Sequence, residues 1–184
     1  KNYLIGLLLG LLVPLGFIFL FDQLNNAIKD PSEIARKTGV SLLGTIGNNP
    51  YDSLLPVLDK PKSSFTESFR ALRTNIDFLL GGKEKKVILV SSTISGEGKS
   101  FVASNLAVSL ALLGKKTALL GLDLRKPKIH NLFGLDNSIG ISTYLVGRDD
   151  ISTITVPTKM SNLFALPAGP IPPNPAELLA GQKL

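Results

Sequence analysis

KKVILVSSTISGEGKSFVASNLAVSLALLGKKTALLGLD, residues 85–123, is the stretch that decides the fold. Residues 85–92 hold a continuous apolar run with β-branched side chains, the pattern of a strand buried on both faces of a parallel sheet. A glycine-bearing loop follows, then the strongly apolar helix KSFVASNLAVSLALLG, stopped by Gly114, and then a second buried strand over 115–124. Strand, loop, helix and strand make one βαβ unit of the usual size. Such units build α/β folds with a doubly wound, mainly parallel sheet, here of the P-loop NTPase type.

The loop ends in Gly98-Lys99-Ser100, as G-x-x-x-x-G-K-[ST] does, but Thr93 stands where that pattern has its first glycine. The context restores what the spacing weakens, because the strand before and the helix after are those the motif requires. Ser95, Gly96 and Gly98 are small enough for backbone N–H groups to close on a phosphate. The helix N-terminus adds its partial positive charge. Lys99 is placed to reach the β- and γ-phosphates of a nucleotide, and Ser100 to offer its hydroxyl to Mg²⁺. Asp123 leaves the second strand at its C-terminal edge, beside the loop, where open α/β sheets bind ligands. A carboxylate there holds Mg²⁺ or its water and orients a nucleophile. The plainer readings are a tight strand–helix turn without ligand, and a turn or capping aspartate.

Outward from this unit, the chain has 184 residues, formal net charge +6 and mean hydropathy +0.26, high for a purely soluble protein. Residues 3–21, YLIGLLLGLLVPLGFIFLF, carry no charge and explain the excess. At about 1.5 Å per residue they reach roughly 28 Å, close to a bilayer's hydrocarbon core, and Pro14 is tolerable in a membrane helix. A signal peptide is the rival, but the run is too long and no small-x-small cleavage site follows. Lys29, Arg36 and Lys37 put the C-terminal side in the cytoplasm. There is no cysteine, which excludes a disulfide framework or a thiolate metal site. The basic excess suits an anionic membrane surface or simple solubility. No aromatic-basic interleaving argues for nucleic acid.

Three parts are expected: a transmembrane helix and its extension over 1–30, a short helix, strand and linker over 31–63, and a P-loop domain over 64–184. In the second part, Pro31 and Gly39 bracket a short helix, VSLLGTIG at 40–47 reads as a strand, and the proline-bearing stretch 47–63 reads as a linker. Ser64 and Glu67 have capping-box spacing and open a helix to Leu80, with Phe65, Phe69, Leu72, Ile76 and Leu79/Leu80 on one face. SNLFALPAG is a further strand, and Asn174 and Pro175 start a last helix. The chain opens at Lys1 and closes at Leu184 inside that helix, so a fragment of a longer protein is expected.

Residues 91–127, SSTISGEGKSFVASNLAVSLALLGKKTALLGLDLRKP, resemble the bacterial tyrosine kinases of polysaccharide export, the cytoplasmic kinase part of the polysaccharide co-polymerases. ESFRALR resembles that family's E-x-x-R-x-x-R motif through Glu67, Arg70 and Arg73. FGLDNSIGISTYLVG at 133–147 and NLFALPAGPIPPNPAELLAG at 162–181 resemble its later segments, so the likeness covers essentially the whole chain. It implies an ATP-dependent protein-tyrosine autokinase, similar in fold to partitioning ATPases. Such a kinase regulates capsule or exopolysaccharide polymerisation and export, from the bacterial inner membrane with its kinase domain in the cytoplasm. Its implied partners are copies of itself in a ring, the tyrosine-rich tail of the neighbouring subunit, and the export machinery. By position, Gly96, Glu97 and Gly98 would cradle phosphate, with Ser95, Lys99, Ser100 and Phe101 completing the ATP site. Ser100 and Asp123 would hold Mg²⁺, Asp123 and Arg125 would stand in the second motif, and Glu67, Arg70 and Arg73 would meet the neighbour. Positions 67, 70 and 73 fall within about 120° of helical arc, so one face presents all three.

The likeness departs in three places. Gly121 replaces the first aspartate of the family's frequent Asp-x-Asp, no apolar strand ending in Asp follows within 124–184, and only Tyr3, Tyr51 and Tyr144 are present. All three fit the expectation of a fragment. Two other readings remain. A partitioning-type ATPase would carry a lysine where Ile94 stands. A non-catalytic chain-length regulator would use the nucleotide only for assembly, and Gly121 is its one sequence feature.

Overall fold

The computed structural model describes residues 2–24, 30–81 and 85–181. The chain divides into two compact units, Lys1–Leu42 and Leu43–Leu184. In the first, helix α1 (Asn2–Leu24) runs unbroken through Pro14. The described apolar side chains of α1 are exposed, Phe17 and Phe21 among them. Helix α1 is long and apolar enough to cross a membrane. The expected continuation over 25–29 lies outside the described residues. Helix α2 (Ser32–Thr38) starts where the Asp30 carboxylate accepts the Ser32 N–H and hydroxyl at 2.9 and 2.7 Å. It stops at Gly39, whose N–H donates to Ala35 O from a left-handed conformation.

The second unit is an α/β layer. Strand β1 (Thr117–Leu120) pairs in parallel with β3 (Leu163–Leu166), Thr117 opposite Leu163 and Leu120 opposite Leu166. The short β2 (Val156–Pro157) pairs antiparallel with β3, giving the order β1-β3-β2. Helices α3 (Pro56–Asp59), α4 (Ser64–Leu79) and α5 (Lys99–Leu112) form the main core with the sheet. Phe65, Phe69 and Ile76 of α4 meet Leu106, Val108 and Ala111 of α5 there. The β1–β3 crossover carries α6 (Ile129–Phe133), α7 (Ile141–Leu145) and α8 (Ile151–Ile154), and α9 (Pro175–Leu179) follows β3. Leu124, Ile141, Leu145, Ile154 and Leu166 make a second, smaller core.

Four expectations change. Residues 86–92 join no ladder, and Val87 and Leu89 are 99% and 80% exposed. An apolar run signals a demand for burial, and no described element meets it here. Residues 40–47 are also not a strand: Leu43 and Ile46 pack on the main core, and Asn75 Nδ2 takes the Leu43 carbonyl at 2.7 Å in place of a ladder partner. The stretch 47–63 is not a bare linker, because Leu55, Pro56 and Val57 are buried. Lastly, α4 is capped one residue early. Ser63 Oγ accepts the Thr66 N–H at 3.1 Å, while Glu67 turns to Arg70. Asn174 stands at the start of α9 as expected, though its side chain donates to Glu177 instead of capping a backbone N–H.

Candidate active site

The loop between residues 86–92 and α5 is held by its own side chains. Ser92 Oγ donates to Ile94 O at 3.0 Å, and the Glu97 carboxylate accepts the Ile94 N–H at 3.2 Å. Gly96 and Gly98 have φ of +101° and +93°, which L side chains rarely adopt. This conformation lets Gly98 stand at the N-cap of α5, its carbonyl accepting the Val102 N–H at 2.9 Å. The α5 N-terminus, with its free N–H groups and partial positive charge, therefore opens on the loop.

Lys99, the first residue of α5, reaches across to the end of the β1 chain. Its Nζ lies 2.9 Å from Asp123 Oδ2, and the other carboxylate oxygen accepts the Lys126 N–H at 3.0 Å. Partial burial alone would push the Asp123 pKa up. The Lys99 hydrogen bond, the Lys126 N–H, the Lys99 charge and the Arg125 N–H together outweigh it and hold the carboxyl below its ordinary value. Asp123 is therefore an anion at neutral pH.

These groups share one cavity of about 370 Å³, a size typical of small-ligand sites. Ser95, Gly96, Gly98, Lys99, Ser100 and Phe101 form the loop side, and Asp123 faces it from the end of β1. Two expected residues do not line it. Glu97 is folded onto Ile94, and Arg125 is exposed, touching Asp123 only through its backbone. Sequence reasoning missed Leu54, Lys126, Lys128, Asn131 and Leu132, which complete the wall. Lys126 and Lys128 were legible as charges just past Asp123. Leu54 was not, because it arrives from the supposed linker.

Asn105 brings Leu54 there. It is wholly buried on the apolar α5, donates to Leu54 O and Phe101 O at 3.0 Å, and accepts the Val57 N–H at 3.2 Å. Beside it, Phe101 packs on Phe65 and Phe69 with ring centroids 6.1 and 6.3 Å apart. α4 is thus fixed to the helix that carries the loop. Glu67, Arg70 and Arg73 of α4 are not equivalent. Glu67 and Arg70 pair with each other, and Arg70 also donates to Pro61 O at 2.9 Å. Arg73 turns inward, donating to Ser109 O on α5 at 2.9 Å.

The ParA family, described as NUBPL iron-transfer P-loop NTPase, matches residues 83–166. The putative tyrosine-protein kinase CapB of Staphylococcus aureus is 43% identical over 131 residues, 71% of this chain and 58% of the relative. Tyrosine-protein kinase YwqD of Bacillus subtilis is 41% identical over 125 residues, 68% of this chain and 53% of the relative. The chain thus spans a little over half the length of these curated relatives. Among solved structures, the kinase domain of the Escherichia coli tyrosine kinase ETK superposes with a TM-score of 0.74 at 29% identity, covering 83% of this chain and 65% of that one. The ParA match at 83–166 holds the loop, α5, β1 and Asp123 alike, and the chain that carries them is similar in sequence and fold to bacterial tyrosine kinases.

Proposed function

We propose that the protein is an ATP-dependent protein-tyrosine autokinase that regulates capsular or exopolysaccharide polymerisation and export. The observation that carries this reading is the Lys99–Asp123 pair at the mouth of the glycine loop. It sets a cation for phosphate and an anion for a hydroxyl in one cavity, in a chain whose relatives are named tyrosine kinases. Backbone N–H groups from Gly96 to Gly98 and the α5 N-terminus would hold the phosphates, with Lys99 on the β- and γ-oxygens. Ser100 and Asp123 line the same cavity and offer oxygen, the donor that hard cations prefer, so together they fit Mg²⁺. Bound there, Mg²⁺ would neutralise charge on the β- and γ-phosphates. Asp123, ionised at neutral pH, would accept the proton of the acceptor tyrosine's hydroxyl and aim its oxygen at the γ-phosphorus. Arg125 would turn its exposed guanidinium to the transferring phosphoryl group. The work is mostly positioning and charge neutralisation.

In the same reading α1 anchors the protein in the bacterial inner membrane, with the kinase part, residues 64–184, in the cytoplasm. Glu67 and Arg70 on α4 meet a neighbouring copy in a ring while Arg73, expected to join them, holds α4 to α5; the acceptors lie in that neighbour's tyrosine-rich tail, and the ring works with the export machinery. The test is phosphotyrosine formation by the full chain in detergent with ATP and Mg²⁺. Lys99→Met is expected to remove the signal, and a signal that persists overturns the assignment. ATP binding without any phosphotyrosine would instead favour the non-catalytic regulator.

A further inference from the structure

The side chains of Lys126 and Lys128 have no part in that mechanism, yet both residues line the cavity, on the wall built by the chain that follows Asp123. Both are exposed, and neither forms an ion pair among the described residues. The third ammonium group of the cavity, Lys99, is answered by Asp123. The wall beyond Asp123 therefore presents two cations with no carboxylate to match them.

The phosphates of a nucleotide do not call for them, because the loop amides, the α5 N-terminus and Lys99 already serve that end. In-line transfer brings the acceptor oxygen in opposite the leaving β-phosphate, and with Asp123 as the base proposed above that is the Asp123 side. The peptide that carries the acceptor must then run over the wall of Lys126 and Lys128. These two lie in a non-helical stretch, two positions and at most about 7 Å apart along the backbone. Alternate side chains of an extended peptide have the same spacing.

We propose that Lys126 and Lys128 select acceptor tyrosines flanked by aspartate or glutamate. The inference rests on the tyrosine-kinase reading above, but its test separates the two. A fluorescent tyrosine peptide with glutamate on either side, and the same peptide with glutamine there, are titrated with the full chain in detergent, and both are then offered with ATP as acceptors. The acid-flanked peptide is expected to bind about tenfold more tightly, the sum of two exposed ion pairs at the favourable end of their range. That ratio should fall towards one in K126Q/K128Q, recover in K126R/K128R, and shrink as salt is raised. A ratio near one in the wild type, or one unchanged in K126Q/K128Q, overturns the proposal. So does a tenfold loss of ATP affinity in K126Q/K128Q with the ratio kept, which would assign the lysines to phosphate. Selective binding without phosphate transfer to either peptide would leave the lysines' role standing and remove the kinase reading instead.

Discussion

Lys99 Nζ and Asp123 Oδ2 meet at 2.9 Å, tying the first residue of α5 to the chain that leaves β1. Because the Asp123 carboxyl is held below its ordinary value, its ionised form is favoured by folding. That contribution is complete above the unfolded value, about 3.9, and is lost as pH falls through the lower folded value. The melting temperature of the wild type minus that of Asp123→Asn is therefore expected to hold steady above about pH 5 and to fall below about pH 4. A difference that grows on acidification would contradict the pairing.

Asn105 makes a second long-range tie. Asn105→Ala leaves the buried Val57 N–H and the Leu54 carbonyl without partners, at a cost of about 1–3 kcal/mol. In a chain of this size that is a fall in melting temperature of several degrees, at about 2–4 °C per kcal/mol. A general loss of packing would speed hydrogen exchange throughout α5. The tie predicts faster exchange at the Val57 amide first, with α5 protected, as mass spectrometry of peptides spanning 54–59 would show.

What the sequence made legible was local. The loop, α5 and β1 follow from residue order: small residues around Lys99, an apolar helix stopped before Gly114, and an apolar run ending near Asp123. The capping serine was missed by one position because Ser63 and Ser64 offer the same hydroxyl. Contacts across long stretches of chain were hidden. Asn105 reaches Val57 across 48 positions and Arg73 reaches Ser109 across 36, and neither pairing leaves a periodic trace. Prolines made 47–63 read as a linker, yet Pro56 opens α3 and is buried. Residues 86–92 show the converse: an apolar run gives the need for burial but not the element that meets it.

Arg70 and Arg73 separate the assembly role of α4 from its packing role. Arg70 is paired near the surface, where an ion pair contributes about 0–1 kcal/mol. Arg70→Ala is expected to leave the melting temperature nearly unchanged while lowering the oligomer mass in light scattering. Arg73→Ala removes the donor to Ser109 and loosens α4 from α5, so it should lower the melting temperature as well. Unchanged mass in both variants would remove the α4 face from the proposed ring.

Gly121 explains its own departure from Asp-x-Asp. Its N–H donates to Leu166 O at 2.9 Å, and a Cβ on it would lie 3.0 Å from Ala168 N and 3.3 Å from the same carbonyl. Those are backbone atoms joined to β3, so they cannot swing aside as a flexible side chain would. Overpacking of this kind costs about 1–3 kcal/mol. Gly121→Ala is therefore expected to lower the melting temperature by several degrees, and Gly121→Asp to lower it further. Restoring the family's carboxylate should then fail to raise phosphotransfer, because the new side chain starts against the Leu166–Ala168 backbone. A Gly121→Asp chain that is both as stable as the wild type and more active would show that the backbone yields there, and that position 121 is open to a second metal-binding carboxylate.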